Sequence, residues 1–222
     1  GVWAVIGVHP LHLRPQTITH QDDDELPPVE IKMGGEEPDY VMYEALAQDR
    51  KAVAIGEIGL DYHHFEEGDD IEALKQKQKQ VFIRFIELAN KVGKPVAIHC
   101  WDAYSDLLDI LTQHPAAKKG VIHSFVGGYK TAKKFIELGY VIGLNGVITY
   151  GDSFDRLIKE IPLEHMILET DCPYLTPSPR KGERNEPTSV CDVAEHIAKL
   201  KNMEVSEVME KTTANAKILF DL

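Results

Sequence analysis

Five side chains able to ligate a metal or move a proton each stand at or just beyond the end of an apolar run. His9 follows Ala4-Val5-Ile6-Gly7-Val8, and Glu57 follows Ala52-Val53-Ala54-Ile55-Gly56. His99 follows Val96-Ala97-Ile98, His123 follows Gly120-Val121-Ile122, and Asp171 follows Met166-Ile167-Leu168-Glu169-Thr170. Imidazoles mixed with carboxylates suit Zn²⁺, Mn²⁺ or Mg²⁺, with a carboxylate such as Glu57 bridging a pair of ions. A bound ion would acidify a water and stabilise charge on a phosphoryl or carbonyl oxygen. A histidine at a strand end is also commonly just a hydrogen-bonded polar residue. The recurrence of such residues at equivalent positions argues for a metal hydrolase against that plainer reading.

The runs that must position these groups are Trp3–Val8, Ala52–Glu57, Pro95–Cys100, Gly120–Phe125, Tyr140–Asn145 and Met166–Glu169. They are short, rich in Val and Ile, and not alternating, as buried parallel strands are. Amphipathic segments separate them. In 72–91, Leu74, Val81, Phe85, Leu88 and Ala89 recur mostly at three- and four-residue steps. Similar patterns cover 102–113, 130–138, 154–161, 190–201 and 206–220, and Gly93 and Gly139 sit where left-handed helix caps belong. Alternating strands and helices predict a parallel sheet. Six βα units fit a (β/α)8 TIM-type barrel missing its first two units, in which the C-terminal strand ends share one face. An open doubly wound sheet satisfies the same periodicity.

The chain has 222 residues, 43% of them hydrophobic and 27% charged, which excludes disordered and fibrous classes and fits a single domain over 1–222. The net charge of −12 gives no basic face for general attraction to phosphate backbones, leaving bound cations to supply a local positive field. Three scattered cysteines predict a reducing, cytoplasmic setting and no disulfide framework. No apolar run reaches membrane-spanning length, so no membrane partner is expected. Residues 17–39 are acidic and rich in Pro and Gly, and read as a solvated loop insertion carrying Asp22-Asp23-Asp24-Glu25.

Six motifs in order carry a family resemblance: Gly7-Val8-His9-Pro10; Ile55-Gly56-Glu57-Ile58-Gly59-Leu60-Asp61-Tyr62; Ile98-His99-Cys100-Trp101-Asp102-Ala103; His123-Ser124-Phe125-Val126-Gly127-Gly128; Leu168-Glu169-Thr170-Asp171-Cys172-Pro173-Tyr174-Leu175; and Arg184-Asn185-Glu186-Pro187. Together they resemble the TatD family of metal-dependent deoxyribonucleases in the amidohydrolase superfamily. The closing Thr212-Thr213-Ala214-Asn215-Ala216 is similar too. The resemblance implies a (β/α)8 barrel with one or two divalent ions, often Mg²⁺. Glu57 would bridge them, His99 and His123 would hold one, and Asp171 would ligate the other and serve as general base. The implied reaction is phosphodiester hydrolysis in DNA, from the 3′ end and mainly on single strands. Expected substrate contacts are His9, Gly127, Gly128, Lys130 and Arg184. Gly127 and Gly128 allow close backbone approach to a phosphate. Arg184 fits a phosphate contact or a structural ion pair equally well.

The chain also departs from the family pattern. No Asp-x-His-x-His matches, as expected if the chain, opening within a strand, is a fragment. Trp101 stands where an Arg is common, Ser124 where a Cys is, and Cys172 where an Ala is. Trp101 reads as packing over the mouth or as a base-stacking face. Cys100 and Cys172 read as packing thiols, His63 as lining the mouth, and His64 as solvated loop. The competing functions are a related amidohydrolase acting on a small ester or amide, and an inactive fragment. Glu57, where such amidohydrolases often use a carboxylated Lys, favours the nuclease.

Overall fold

The computed structural model describes residues 1–20, 29–33, 35 and 37–222. Its strands are β1 (Ala4–Ile6), β2 (Gln16–His20), β3 (Val29–Met33), β4 (Ala52–Asp61), β5 (Val96–Trp101), β6 (Gly120–Ile122), β7 (Val141–Leu144) and β8 (Met166–Leu168). Its helices are α1 (Tyr40–Leu46), α2 (Ile71–Val92), α3 (Tyr104–Gln113), α4 (Tyr129–Glu137), α5 (Asp155–Glu160), α6 (Val190–Lys201) and α7 (Val205–Phe220). Six strands form one parallel sheet in the order β1-β4-β5-β6-β7-β8. This is the succession expected of consecutive βα units. Among the described residues β1 and β8 are its end strands, with no ladder joining them.

The expected loop at 17–39 needs correction. β2 and β3 pair antiparallel from Gln16↔Met33 to His20↔Val29. The Thr17-Ile18-Thr19 and Val29-Glu30-Ile31 segments carry β-branched residues suited to strands, which the neighbouring acidic and Pro-rich composition obscured. The Asp22–Glu25 run lies outside the described residues.

The strands are apolar because they are covered. Ile55, Ile58, Leu60, Val96, Ile98, Ile122 and Ile142 are fully buried, and so are Phe82, Phe85 and Ile86 on the inner face of α2. Full burial of a Phe side chain is worth about 1.5–3 kcal/mol. α2 starts where the Asp70 carboxylate accepts from the Ala73 N–H and stops at Gly93, whose φ of 66° is the left-handed cap position. The Tyr40 and Tyr43 rings of α1 each lie 5.2 Å from the Phe85 ring, docking α1 on α2.

One irregularity positions the chemistry. The β4–β5 register slips between Ile55 and Ile58, so β4 bulges around Gly56 and Glu57. A bulge redirects the side chain it carries. Ile55 and Ile58 stay in the core while Glu57 is only partly buried. Gly56 and Gly59 permit this close approach. A Cβ on Gly56 would fall 2.6 Å from the Ala97 carbonyl oxygen, and one on Gly59, whose φ is +146°, would fall 2.0 Å from that of His99.

Candidate metal centre

Strands β4 and β5, with the segments that follow β1, β6 and β8, bring His9, Glu57, His99, His123 and Asp171 to one cavity of about 660 Å³. His9 Nε2 lies 3.4 Å from Glu57 Oε1, and His99 Nδ1 lies 2.9 Å from the same oxygen. His123 Nε2 is 3.7 Å from Glu57 Oε1 and 3.1 Å from Asp171 Oδ1. Ligand atoms about 2.1 Å from a tetrahedral ion are separated by about 3.4 Å. The donors of His9, Glu57 and His99 all lie within 4.8 Å of one another, so nitrogen and oxygen ligands are spaced for a divalent cation. His9, metal-competent by type but assigned from sequence to substrate contact, has its donor nitrogen in this group.

A buried carboxylate, Asp61, and a partly buried one, Glu169, hold the imidazoles from behind. His99 Nε2 is 2.8 Å from Asp61 Oδ2. Asp61 itself has no solvent exposure and accepts from the backbone N–H groups of His63 and His64. His123 Nδ1 is 2.8 Å from Glu169 Oε2. The other Glu169 oxygen accepts from the Ser124 N–H at 2.5 Å. Gly143 makes room for this carboxylate, since a Cβ there would fall 2.6 Å from Glu169 Oε1. Asn145 Nδ2 donates to Ser124 Oγ at 2.7 Å, and Ser124 Oγ donates to Asp171 Oδ2 at 3.1 Å. Carboxylate partners of this kind fix the tautomer and orientation of a ligating histidine.

Charge follows from this wiring. Burial alone would raise the Glu57 carboxyl, but hydrogen bonds from His9 and His99 hold it well below the ordinary carboxylate range. Asp61 is likewise held low, against burial, by His99 and His64. Burial disfavours charge on His99 and His123 too. It is outweighed at His99 by hydrogen bonds to Asp61 and Glu57, and at His123 by the charge of Glu169 and hydrogen bonds to Asp171 and Glu169, so both are raised. His9 is lowered by burial, which exceeds the opposing hydrogen bond to Glu57. The ionised carboxylates suit a cation, whereas the raised His99 and His123 must give up a proton before their nitrogens can ligate one.

The other sequence candidates sit elsewhere. Gly127, Gly128, Lys130 and Arg184 do not line this cavity. Gly128 precedes α4 as its N-cap, Lys130 is exposed on that helix, and Arg184 is exposed in the loop before α6. The two loop histidines exchange their expected places. His64 lines the cavity and bonds Asp61, whereas His63 is held outside by Asp102 at 2.8 Å. The cause is the turn after β4, where Asp61 Oδ1 gathers both backbone N–H groups and the His64 ring. Cys100 is buried and its thiol is pushed up by burial, while Cys172 lines the cavity. Asp61 and Glu169 are the functional residues that pattern reading missed. The signal available was an acid inside an otherwise apolar strand run.

The family model described as TatD related DNase matches residues 1–221. The uncharacterized metal-dependent hydrolase YabD of Bacillus subtilis is 37% identical over 222 residues, covering 99% of this chain and 77% of that protein. Deoxyribonuclease TATDN3 of Homo sapiens is 37% identical over 170 residues, covering 77% of this chain and 60% of that protein. Among solved structures, the TatD homolog YJJV of Escherichia coli K12 has a TM-score of 0.82 at 27% identity, covering 99% of this chain and 77% of that one.

Proposed function

The chain belongs to the TatD-related DNase family, and on that footing we propose that it is a divalent-metal-dependent phosphodiesterase removing nucleotides from the 3′ ends of single-stranded DNA. The observation that carries this reading is the donor spacing around Glu57 Oε1, with His99 at 2.9 Å, His9 at 3.4 Å and His123 at 3.7 Å. Glu57 would serve both ions, His99 and His123 would hold one, and Asp171 would hold the other. Bound there, ions of the Mg²⁺, Mn²⁺ or Zn²⁺ class would supply an acidified water and charge neutralisation at the phosphoryl oxygens.

The chain's own residues do the rest. Asp61 and Glu169 keep the lone pairs of His99 and His123 directed inward. Asp171, oriented by the Ser124 hydroxyl, takes the proton of the attacking water as general base. His9 adds a donor beside Glu57. A cavity of about 660 Å³ has room for an end nucleotide but not for a duplex, which supports action at single-stranded ends. Lys130, Arg184 and the Gly127-Gly128 backbone would then meet phosphates further along the strand. The net charge of −12 makes the ions necessary for binding as well as chemistry. Three free cysteines support a reducing, cytoplasmic setting.

The test is an assay of this chain on end-labelled DNA, RNA and small esters with defined metals. We expect stepwise release from the DNA 3′ end, stopped by EDTA. Hydrolysis of small esters alone would replace this reading with that of a related amidohydrolase.

A further inference from the structure

The cavity has two kinds of wall. Its floor is the histidine–carboxylate cluster, whereas Leu11, Trp101, Tyr174 and Leu175 form an apolar and aromatic rim. A metal centre that bound only inorganic or small anionic esters would have no use for such a rim. A ligand with a planar apolar body joined to an anionic group matches both walls.

Two rim aromatics are held in position by polar groups. Trp101 ends β5. The His64 ring lies 5.1 Å from the Trp101 ring at an interplanar angle of 31°, and the His63 ring meets it edge-on at 4.9 Å and 72°. Each of those imidazoles is tied to a carboxylate, His64 to Asp61 and His63 to Asp102. The indole is thus set by the same Asp61 that orients His99. Tyr174 follows β8. Its N–H donates to the Asp171 carbonyl at 2.7 Å, and its carbonyl accepts from the Asn185 side chain at 2.6 Å. Asn185 is 3% exposed, yet the Tyr174 residue it anchors is 64% exposed. A fixed backbone carrying a solvent-facing ring beside a catalytic cavity is the arrangement of a stacking platform.

We propose that Trp101, backed by His64, and Tyr174 are the stacking faces for the nucleobases at the end of the bound strand. This rests on the phosphodiesterase reading and deepens it by assigning base recognition to these two rings. Stacking tolerates every base because each has a π-face, so the enzyme degrades mixed sequences without strong preference. Both rings are positioning residues for the scissile bond, not catalytic ones.

The test uses a single-stranded oligonucleotide with 2-aminopurine at its 3′ terminus and a phosphorothioate terminal linkage to slow hydrolysis, titrated with the full chain in Mg²⁺. We expect the fluorescence to be quenched by the wild type and by Trp101→Phe. Trp101→Ala and Tyr174→Ala should bind about tenfold more weakly with little quenching. A probe moved ten positions inward should stay bright. On hydrolysable DNA, the alanine variants should raise KM about tenfold and change kcat less than threefold, with Trp101→Phe restoring KM. Equal losses in the Phe and Ala variants, or tight binding without quenching, would overturn the stacking assignment and leave the phosphodiesterase reading intact. No DNA cleavage by the wild type with any divalent metal would overturn both.

Discussion

The Nε2 of His99 lies 2.8 Å from Oδ2 of Asp61, a carboxylate with no exposure to solvent. That contact turns the other ring nitrogen of His99 toward Glu57, at 2.9 Å. Glu169 stands in the same relation to His123. His99 and His123 are therefore each gripped by a carboxylate on the side away from Glu57, whereas the Nδ1 of His9 accepts from the Leu11 N–H.

Removing that grip while keeping the side-chain volume should weaken the centre without unfolding it. Asp61→Asn and Glu169→Gln are each expected to lower metal affinity or activity about 10–100-fold. Isothermal titration with Mn²⁺ measures the first quantity and nucleotide release the second. Unchanged affinity in both variants would mean that these carboxylates serve packing alone.

Glu57 is the oxygen common to three imidazoles, so its loss should be more severe. Glu57→Ala is expected to reduce nucleotide release at least about 1000-fold, consistent with loss of a direct ligand rather than of its support. Neutralising Asp22, Asp23, Asp24 and Glu25 together should leave the rate within about threefold, since none of them is among the donors assigned to the centre. Comparable losses in the two variants would misplace the site.

The convergence of Glu57, His99, His123 and Asp171 was legible because parallel strands end on one face, so a polar residue after each apolar run is placed by topology alone. Asp61 was not legible in this way. It lies on the same strand as Glu57, beyond the bulge at Gly56, and a bulge changes which face later residues take. The β2–β3 hairpin was hidden because Pro, Gly and acidic residues around it outweigh two short β-branched segments. Lys130 and Arg184 were chosen for charge, and charge carries no information about distance from a cavity.

Protons and metal compete for the same nitrogens, which sets the pH dependence. The folded values of His99 and His123 lie above the ordinary 6.5, so their contribution to metal-free stability is full below that pH and is lost as pH rises through the folded values. Asp61 and Glu57 are held below their ordinary 3.8 and 4.5, so their contribution is full above those values and is lost as pH falls toward the folded ones. In EDTA, thermal unfolding should therefore show its greatest stability between these limits. Metal affinity should rise with pH as the imidazoles lose protons, and calorimetry in buffers of differing ionisation enthalpy should show proton release on binding. A pH-independent affinity from about pH 5.5 to about pH 8 would contradict this wiring.

At Gly59 both the backbone angle and the surrounding space exclude a side chain. Its φ of +146° and the 2.0 Å that would separate an added Cβ from the His99 carbonyl oxygen leave no place for alanine. Gly59→Ala should cost about 3 kcal/mol or more, read as a lowered urea midpoint, and should depress metal affinity because β4 and His99 shift together. Gly68, with open space around it, is the control: Gly68→Ala should cost less despite its φ of +96°.

The most direct test of the metal centre is anomalous diffraction from crystals of this chain soaked in Mn²⁺. The account predicts manganese peaks enclosed by Glu57, His99, His123 and Asp171, with Glu57 touching each ion present. A manganese peak away from these four residues, or their side chains bare at saturating Mn²⁺, would contradict it.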